Sequence, residues 1–96
     1  MRAADHERYL QAAIEEHMRA TGWRYYHTYD SSRSVAGFPD VVALRGSRIL
    51  VAEIKGPKTR VTAEQRAWLE AFEAAGVPAY LWRLPGDWAQ VGEVLR

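Results

Sequence analysis

Apolar residues recur along this chain with two different periods, and the switches between them outline its elements. From Ala4 to Ala20, Leu10, Ala13, Ile14 and Met18 fall three and four apart, the stripe of an amphipathic helix that Gly22 brings to an end. Trp23 to Tyr29 is rich in aromatics and alternates like a strand. Val41-Val42-Ala43-Leu44 and Ile49-Leu50-Val51-Ala52 are two strand-length apolar runs around Arg45-Gly46-Ser47-Arg48, where Gly46 suits the first central position of a two-residue hairpin loop. Thr62-Ala63-Glu64-Gln65 forms a capping box and opens a second helix, with Trp68, Leu69, Phe72 and Ala75 as its inward stripe and Gly76 and Pro78 closing it. Ala79 to Leu84 reads as a fourth strand. Pro85-Gly86 then breaks the chain, and Asp87 caps a short last helix in which Trp88, Val91 and Leu95 face inward.

The order is α-β-β-β-α-β-α. A helical crossover makes the fourth strand parallel to the third. The hairpin is apolar on both faces, with Val42, Leu44, Ile49 and Val51 on one and Val41, Ala43, Leu50, Ala52 and Ile54 on the other, the pattern of a central pair covered by helices. The expected fold class is therefore α/β, a four-stranded mixed sheet flanked by helices, with residues 1–96 forming one domain.

The hairpin also sets a register. Pairing Val41 with Ala52 puts Asp40 opposite Glu53, and alternation puts Lys55 on the same face as Glu53. Two carboxylates ~4.5–5.5 Å apart at Cβ repel unless a positive group sits between them. A divalent cation resolves the conflict, and oxygen ligands select a hard one, Mg²⁺ or Mn²⁺. Such a site can orient a water and stabilise charge on a phosphate in flight. An ammonium at Lys55, beside two carboxylates, suits an orienting and electrostatic role better than proton abstraction. This is the minimal equipment for hydrolysing a phosphodiester; the alternative is a solvated hairpin end carrying ordinary charges.

Composition changes this picture little. The 96 residues contain no cysteine, which excludes disulfides, thiolate metal sites and a cysteine nucleophile. Net charge is +1, so a nucleic-acid partner must be met by a local patch rather than by bulk charge. Met1 to Glu7 lacks the apolar core of a signal peptide, and no apolar run approaches the ~20 residues that span a bilayer. A soluble, cytoplasmic protein without membrane association is expected.

Several short blocks carry a resemblance. Pro39-Asp40 and Glu53-Ile54-Lys55 look like the signature of the PD-(D/E)XK nuclease superfamily. Gly22-Trp23, Tyr26-His27-Thr28, Ser34-Val35-Ala36-Gly37-Phe38-Pro39-Asp40, Ala52-Glu53-Ile54-Lys55, Glu64-Gln65-Arg66-Ala67-Trp68-Leu69 and Ala75-Gly76-Val77, in that order, resemble the VRR-NUC family within it. The resemblance runs from about Glu7 to Leu95 and implies a restriction-endonuclease-like αβββαβ(α) core.

It also implies a metal-dependent DNA endonuclease acting on branched or flapped DNA, including four-way junctions, in replication, repair or recombination. A stand-alone copy of this size looks like phage and bacterial members, which form homodimers, and so implies the cytoplasm of a bacterial or phage-infected cell. Asp40, Glu53 and the Ile54 carbonyl would hold Mg²⁺ or Mn²⁺. Glu7, in an E-x-x-x-Q pattern with Gln11, would add a carboxylate from the first helix, with Glu16 in reserve and Glu15 solvated. Equally, Glu7 is a first-turn glutamate favoured by the helix dipole. Gln65 would stand near the metal or its water, a reading that competes with its capping role. His27 would approach the site or simply pack on its strand.

Arg33 and Ser34, on the loop entering the site, and Lys58 and Arg60, on the positive lip after Lys55, are expected phosphate contacts. Two other readings stay open: a junction- or end-binding module that does not cut, and a restriction-type duplex endonuclease. The intact Asp40, Glu53 and Lys55 speak against the first, and the little spare chain for base recognition speaks against the second.

Overall fold

The computed structural model describes residues 3–28 and 35–96. Its elements are α1 (Ala3–Ala20), β1 (Arg24–His27), β2 (Val41–Arg45), β3 (Arg48–Lys55), α2 (Ala63–Ala74), β4 (Ala79–Arg83) and α3 (Trp88–Leu95). They form one four-stranded sheet in the order β1-β2-β3-β4. The first two pairings are antiparallel and the β3–β4 pairing is parallel, so the sheet is mixed, as the helical crossover requires. β1 is shorter than the run from Trp23 to Tyr29, because Trp23 leaves the sheet for the core and Tyr29 lies outside the described residues.

The hairpin register runs from Arg45 opposite Arg48 to Val41 opposite Ala52, and one more step along it brings Asp40 level with Glu53. Gly46 takes a φ of +61°, and among the described residues only glycines have positive φ. That is the glycine-first loop expected from Gly46-Ser47.

One face of the sheet carries the core. Leu10, Ile14 and Met18 of α1 and Val91 and Leu95 of α3 pack onto Val41, Ala43, Leu50, Ala52, Ile54 and Trp82. Among the described residues, α2 lies on the other face, against β3 and β4. Leu44 and Ile49, expected under a helix, are 45% and 39% exposed, because α2 does not reach the tip of the hairpin. For the same reason α2 buries no residue completely: Trp68, Leu69 and Phe72 are half-buried, and Ala75 is exposed as the C-cap. Phe38 supplies the partner that the sheet does not, with its ring 5.1 Å from Trp68 and 5.9 Å from Phe72. The helix ends in a Schellman motif, Gly76 (φ +86°) donating to Glu73 and Val77 to Phe72.

The last helix departs from expectation at two positions. Trp88 is 44% exposed rather than inward. Asp87 does not cap α3 with its side chain; its Oδ2 accepts the Arg83 amide at 2.7 Å instead, closing the turn that leaves β4.

At the tip of the hairpin the guanidinium groups of Arg45 and Arg48 each lie 4.7 Å from the centre of the Trp23 ring. Arg45 donates to the Thr21 and Leu95 carbonyls and Arg48 to Val94, while the Trp23 indole donates to Leu95. These cations meet the carbonyl ends of α1 and α3, where the helix dipole favours them. The closed end of the hairpin is thereby fastened, and the charged residues of interest gather at the open end.

Candidate active site

Asp40 stands immediately before β2 and is fixed from three directions. Its Oδ2 accepts the Ile54 amide at 2.7 Å, its carbonyl accepts the Thr28 amide at 2.9 Å, and the Thr28 hydroxyl donates to the carbonyl of buried Pro39 at 2.8 Å. Upstream, Gly37 has a φ of +89°, and a Cβ there would fall 2.5 Å from the Glu64 carbonyl carbon. Only glycine fits, so the segment entering Asp40 lies directly against the first turn of α2.

Glu53 is 2% exposed and Lys55 is 7% exposed at the end of β3. Glu53 Oε1 accepts from the Gln65 amide at 3.3 Å and lies 3.9 Å from Lys55 Nζ. Its other oxygen, Oε2, is buried with no hydrogen-bond partner among the described residues. Burial first, and then the Asp40 charge and a proton shared with the Asp40 carboxyl, push Glu53 from 4.5 up to about 9; Lys55 pulls the other way and Glu7 adds to the rise.

Gln65 caps α2 and reaches Glu53 at the same time. Its backbone amide donates to the Thr62 hydroxyl and its Oε1 accepts the Thr62 amide at 2.9 Å, completing the capping box. The same side chain uses its Nε2 on Glu53.

α1 closes the other side. Glu7, Arg8, Gln11, His27, Thr28, Asp40, Glu53, Ile54, Lys55 and Gln65 line one cavity of about 280 Å³. Glu7 Oε2 accepts the Gly56 amide at 3.4 Å. Gln11 reaches His27 Nδ1 at 2.7 Å, and Glu15 Oε2 lies 2.5 Å from the same nitrogen. Glu15 is therefore not the solvated glutamate expected, whereas Glu16 is exposed. Glu7, Gln11 and Glu15 stand four residues apart on one flank of α1, a polar stripe beside the apolar one. That spacing was the available signal for Glu15. Arg8, one residue beyond Glu7, was also missed.

Lys58 and Arg60 are exposed and do not line the cavity. Their segment is braced from beneath by Arg83, whose Nη1 donates to the carbonyls of Gly56 at 3.2 Å and Thr59 at 2.7 Å. No sequence pattern singled out that brace. Arg33 and Ser34 lie outside the described residues.

The donor set suits a hard cation. Two adjacent carboxylates, one with an unpartnered buried oxygen, lack the positive charge that would let both ionise. Among the described residues no group of three His, Asp or Glu side chains could hold a metal together, so an ion here would rest on Asp40, Glu53, backbone oxygen and solvent.

Comparison with known proteins bears on this arrangement. The model of the VRR-NUC domain matches residues 2–83. The Fanconi-associated nuclease 1 homolog of Caenorhabditis elegans is 40% identical over 58 residues, which are 58% of this chain and 6% of that protein. The structure of Hjc, a Holliday junction resolvase from the archaeal hyperthermophile Archaeoglobus fulgidus, is similar with a TM-score of 0.57 and 26% identity, covering 77% of this chain and 63% of that one. The chain thus spans less than two thirds of either relative.

Proposed function

The chain belongs to the VRR-NUC domain family, and from that premise we propose that it is a divalent-metal-dependent DNA endonuclease acting on branched DNA. The observation that carries the reading is the buried Glu53 Oε2, unpartnered among the described residues, beside Asp40 and Lys55. A buried acid is costly to leave so incompletely satisfied unless a ligand completes it.

In this reading Asp40, Glu53 and the Ile54 carbonyl would hold Mg²⁺ or Mn²⁺, while Glu7, turned toward the Gly56 amide, lines the cavity without joining the two carboxylates as a ligand. The bound cation supplies Lewis acidity toward a phosphodiester oxygen and an activated water. The Ile54 amide holds the Asp40 carboxylate in place, and Gln65 does the same for Glu53. Lys55 orients the water and stabilises charge building on the phosphate. Lys58 and Arg60 hold the DNA backbone beside the cavity, on a segment that Arg83 keeps in place. Arg33 and Ser34 are assigned to the same backbone from the entering loop.

Preference for four-way junctions is supported by the similar Holliday junction resolvase, and the nuclease activity by that protein and the nuclease homolog together. A homodimer follows from the same reading, since a two-fold junction is cut in pairs and a dimer presents two cavities related by symmetry. No helix among the described residues is long and apolar enough to cross a membrane. The cytoplasm of a bacterial or phage-infected cell is the compartment that goes with this substrate.

The test is a cleavage assay on labelled linear duplex, single strand, flap and four-way junction in Mn²⁺, Mg²⁺ and EDTA, with Lys55→Ala alongside. Metal-dependent cutting, strongest on branched DNA and lost in the variant, is expected. Junction binding without cutting in either metal would replace the nuclease with a binding module.

A further inference from the structure

Metal binding and catalysis by Asp40, Glu53 and Lys55 leave the contacts at the end of β4 unused. Lys55 and Arg83 are register partners in the parallel β3–β4 pair, so both project from one face of the sheet. Their duties separate there. Lys55 lines the cavity and Arg83 does not; Arg83 Nη1 turns under the segment that follows Lys55 and donates to the Gly56 and Thr59 carbonyls. One nitrogen with two hydrogens serves both. Gly56 is buried, and its amide meets Glu7 Oε2, so its two peptide groups are held from α1 and from β4. The exposed cations Lys58 and Arg60 sit on this held turn.

Arg83 is itself fixed through its backbone. Asp87 Oδ2 accepts the Arg83 amide at 2.7 Å, and the Asp87 amide donates to the Arg83 carbonyl at 2.8 Å. The Asp87 carboxylate serves this turn and leaves α3 without a side-chain cap, although such a cap ordinarily stabilises a helix. We propose that Arg83, set by Asp87, is a positioning residue for DNA binding: by drawing the Gly56 and Thr59 carbonyls onto one guanidinium, it presents Lys58 and Arg60 to the phosphate backbone already in place. This rests on the DNA-cleaving reading of the site. A turn that is ordered before DNA arrives loses less freedom on binding. The contribution of Arg83 to affinity therefore passes through Lys58 and Arg60 rather than through a phosphate of its own. A brace that served stability alone would leave the affinity of the folded protein unchanged.

The experiment follows binding of a fluorescently labelled synthetic four-way junction to the full chain in EDTA, by anisotropy, for Arg83→Met alone and together with Lys58→Ala, Arg60→Ala. Arg83→Met is expected to weaken binding about three- to tenfold in the otherwise wild-type chain, and less than about twofold where Lys58 and Arg60 are already gone. Arg83→Lys, which keeps a charge and can still donate to a carbonyl, should recover part of the loss. Asp87→Ala removes a negative charge, which by itself would strengthen DNA binding, yet it is expected to weaken it. Circular dichroism shows which variants are folded. If Arg83→Met unfolds, Arg83→Lys takes its place in the cycle, with a smaller loss that again vanishes without Lys58 and Arg60. Equal losses in both backgrounds would make Arg83 a phosphate contact in its own right. No loss in either, or tighter binding by Asp87→Ala, would leave it a structural brace. Each of these overturns the proposal and leaves Asp40, Glu53 and Lys55 as the cutting site, as does full affinity in Lys58→Ala, Arg60→Ala. Absence of any DNA binding by the wild type would remove both readings.

Discussion

The Ile54 amide donates to Asp40 Oδ2 at 2.7 Å, so the backbone of the residue between Glu53 and Lys55 aims the carboxylate on the facing strand. An asparagine at position 40 can still accept that bond through its side-chain oxygen, and the hairpin should keep its geometry. Charge is what it loses. Asp40→Asn is expected to lower cleavage by about 10²–10³-fold or more. In EDTA it should melt close to the wild-type temperature, because the asparagine oxygen still accepts the Ile54 amide. Cleavage time courses and thermal melts followed by circular dichroism check both parts, and a variant that cuts like wild type removes Asp40 from the site.

Glu53 makes the metal-free protein sensitive to pH in a defined direction. Its folded value of about 9 lies above the ordinary 4.5, so between those limits the folded state holds a proton that the unfolded state has released. This contribution to stability is complete below about pH 4.5 and is lost as pH rises through about 9. Melts in EDTA should therefore decline over that window, and Glu53→Gln should flatten the decline.

Because a cation must displace the same proton, Mn²⁺ binding should tighten by about tenfold per pH unit through neutrality. Calorimetry in two buffers of different ionisation enthalpy should detect the release of about one proton. Binding without proton release would mean that Glu53 is already ionised.

The packing of Gly37 against α2 gives a stability prediction. A methyl group there meets the backbone of Glu64 and Gln65 at 2.5–2.7 Å, at a φ of +89°. Gly37→Ala is expected to cost about 1–3 kcal/mol in urea unfolding. It should also impair cleavage, because the turn it displaces carries Gln65. A variant as stable as wild type would show that the loop and helix are not in contact.

Lys58 and Arg60 are exposed on a segment held by Arg83, and their contribution is electrostatic. The double variant Lys58→Ala, Arg60→Ala should weaken junction binding and lower the slope of log affinity against log salt by about two. Cleavage at saturating DNA should be preserved. An unchanged slope would place the DNA elsewhere.

How far the sequence could be read depended on the range of the interaction. Strand pairing, the glycine-first turn, the capping box and the Asp40–Glu53 register are local or set by one short hairpin, and these were legible. The exposure of Leu44, Ile49 and Trp88 was not, because it depends on how far α2 and α3 reach across the sheet. Glu15 was misjudged for a related reason: on a helix wheel it borders the polar side, and only the placement of β1 brings His27 to it. Asp87 looked like a cap because its position fits one, yet the Arg83 amide competes for the same oxygen and wins.

The two ends of the β2–β3 hairpin have separate duties. Arg45, Arg48 and Trp23 fasten its closed end to the ends of both core-face helices, while the candidate site lies at its open end. Fidelity of strand alignment is thus decided at the end of the hairpin away from Asp40, Glu53 and Lys55. This makes the cutting end open to redesign: a lineage or an engineer can exchange Lys55, Gln65 or the entering loop for other chemistry without first rebuilding the frame that keeps the strands in step.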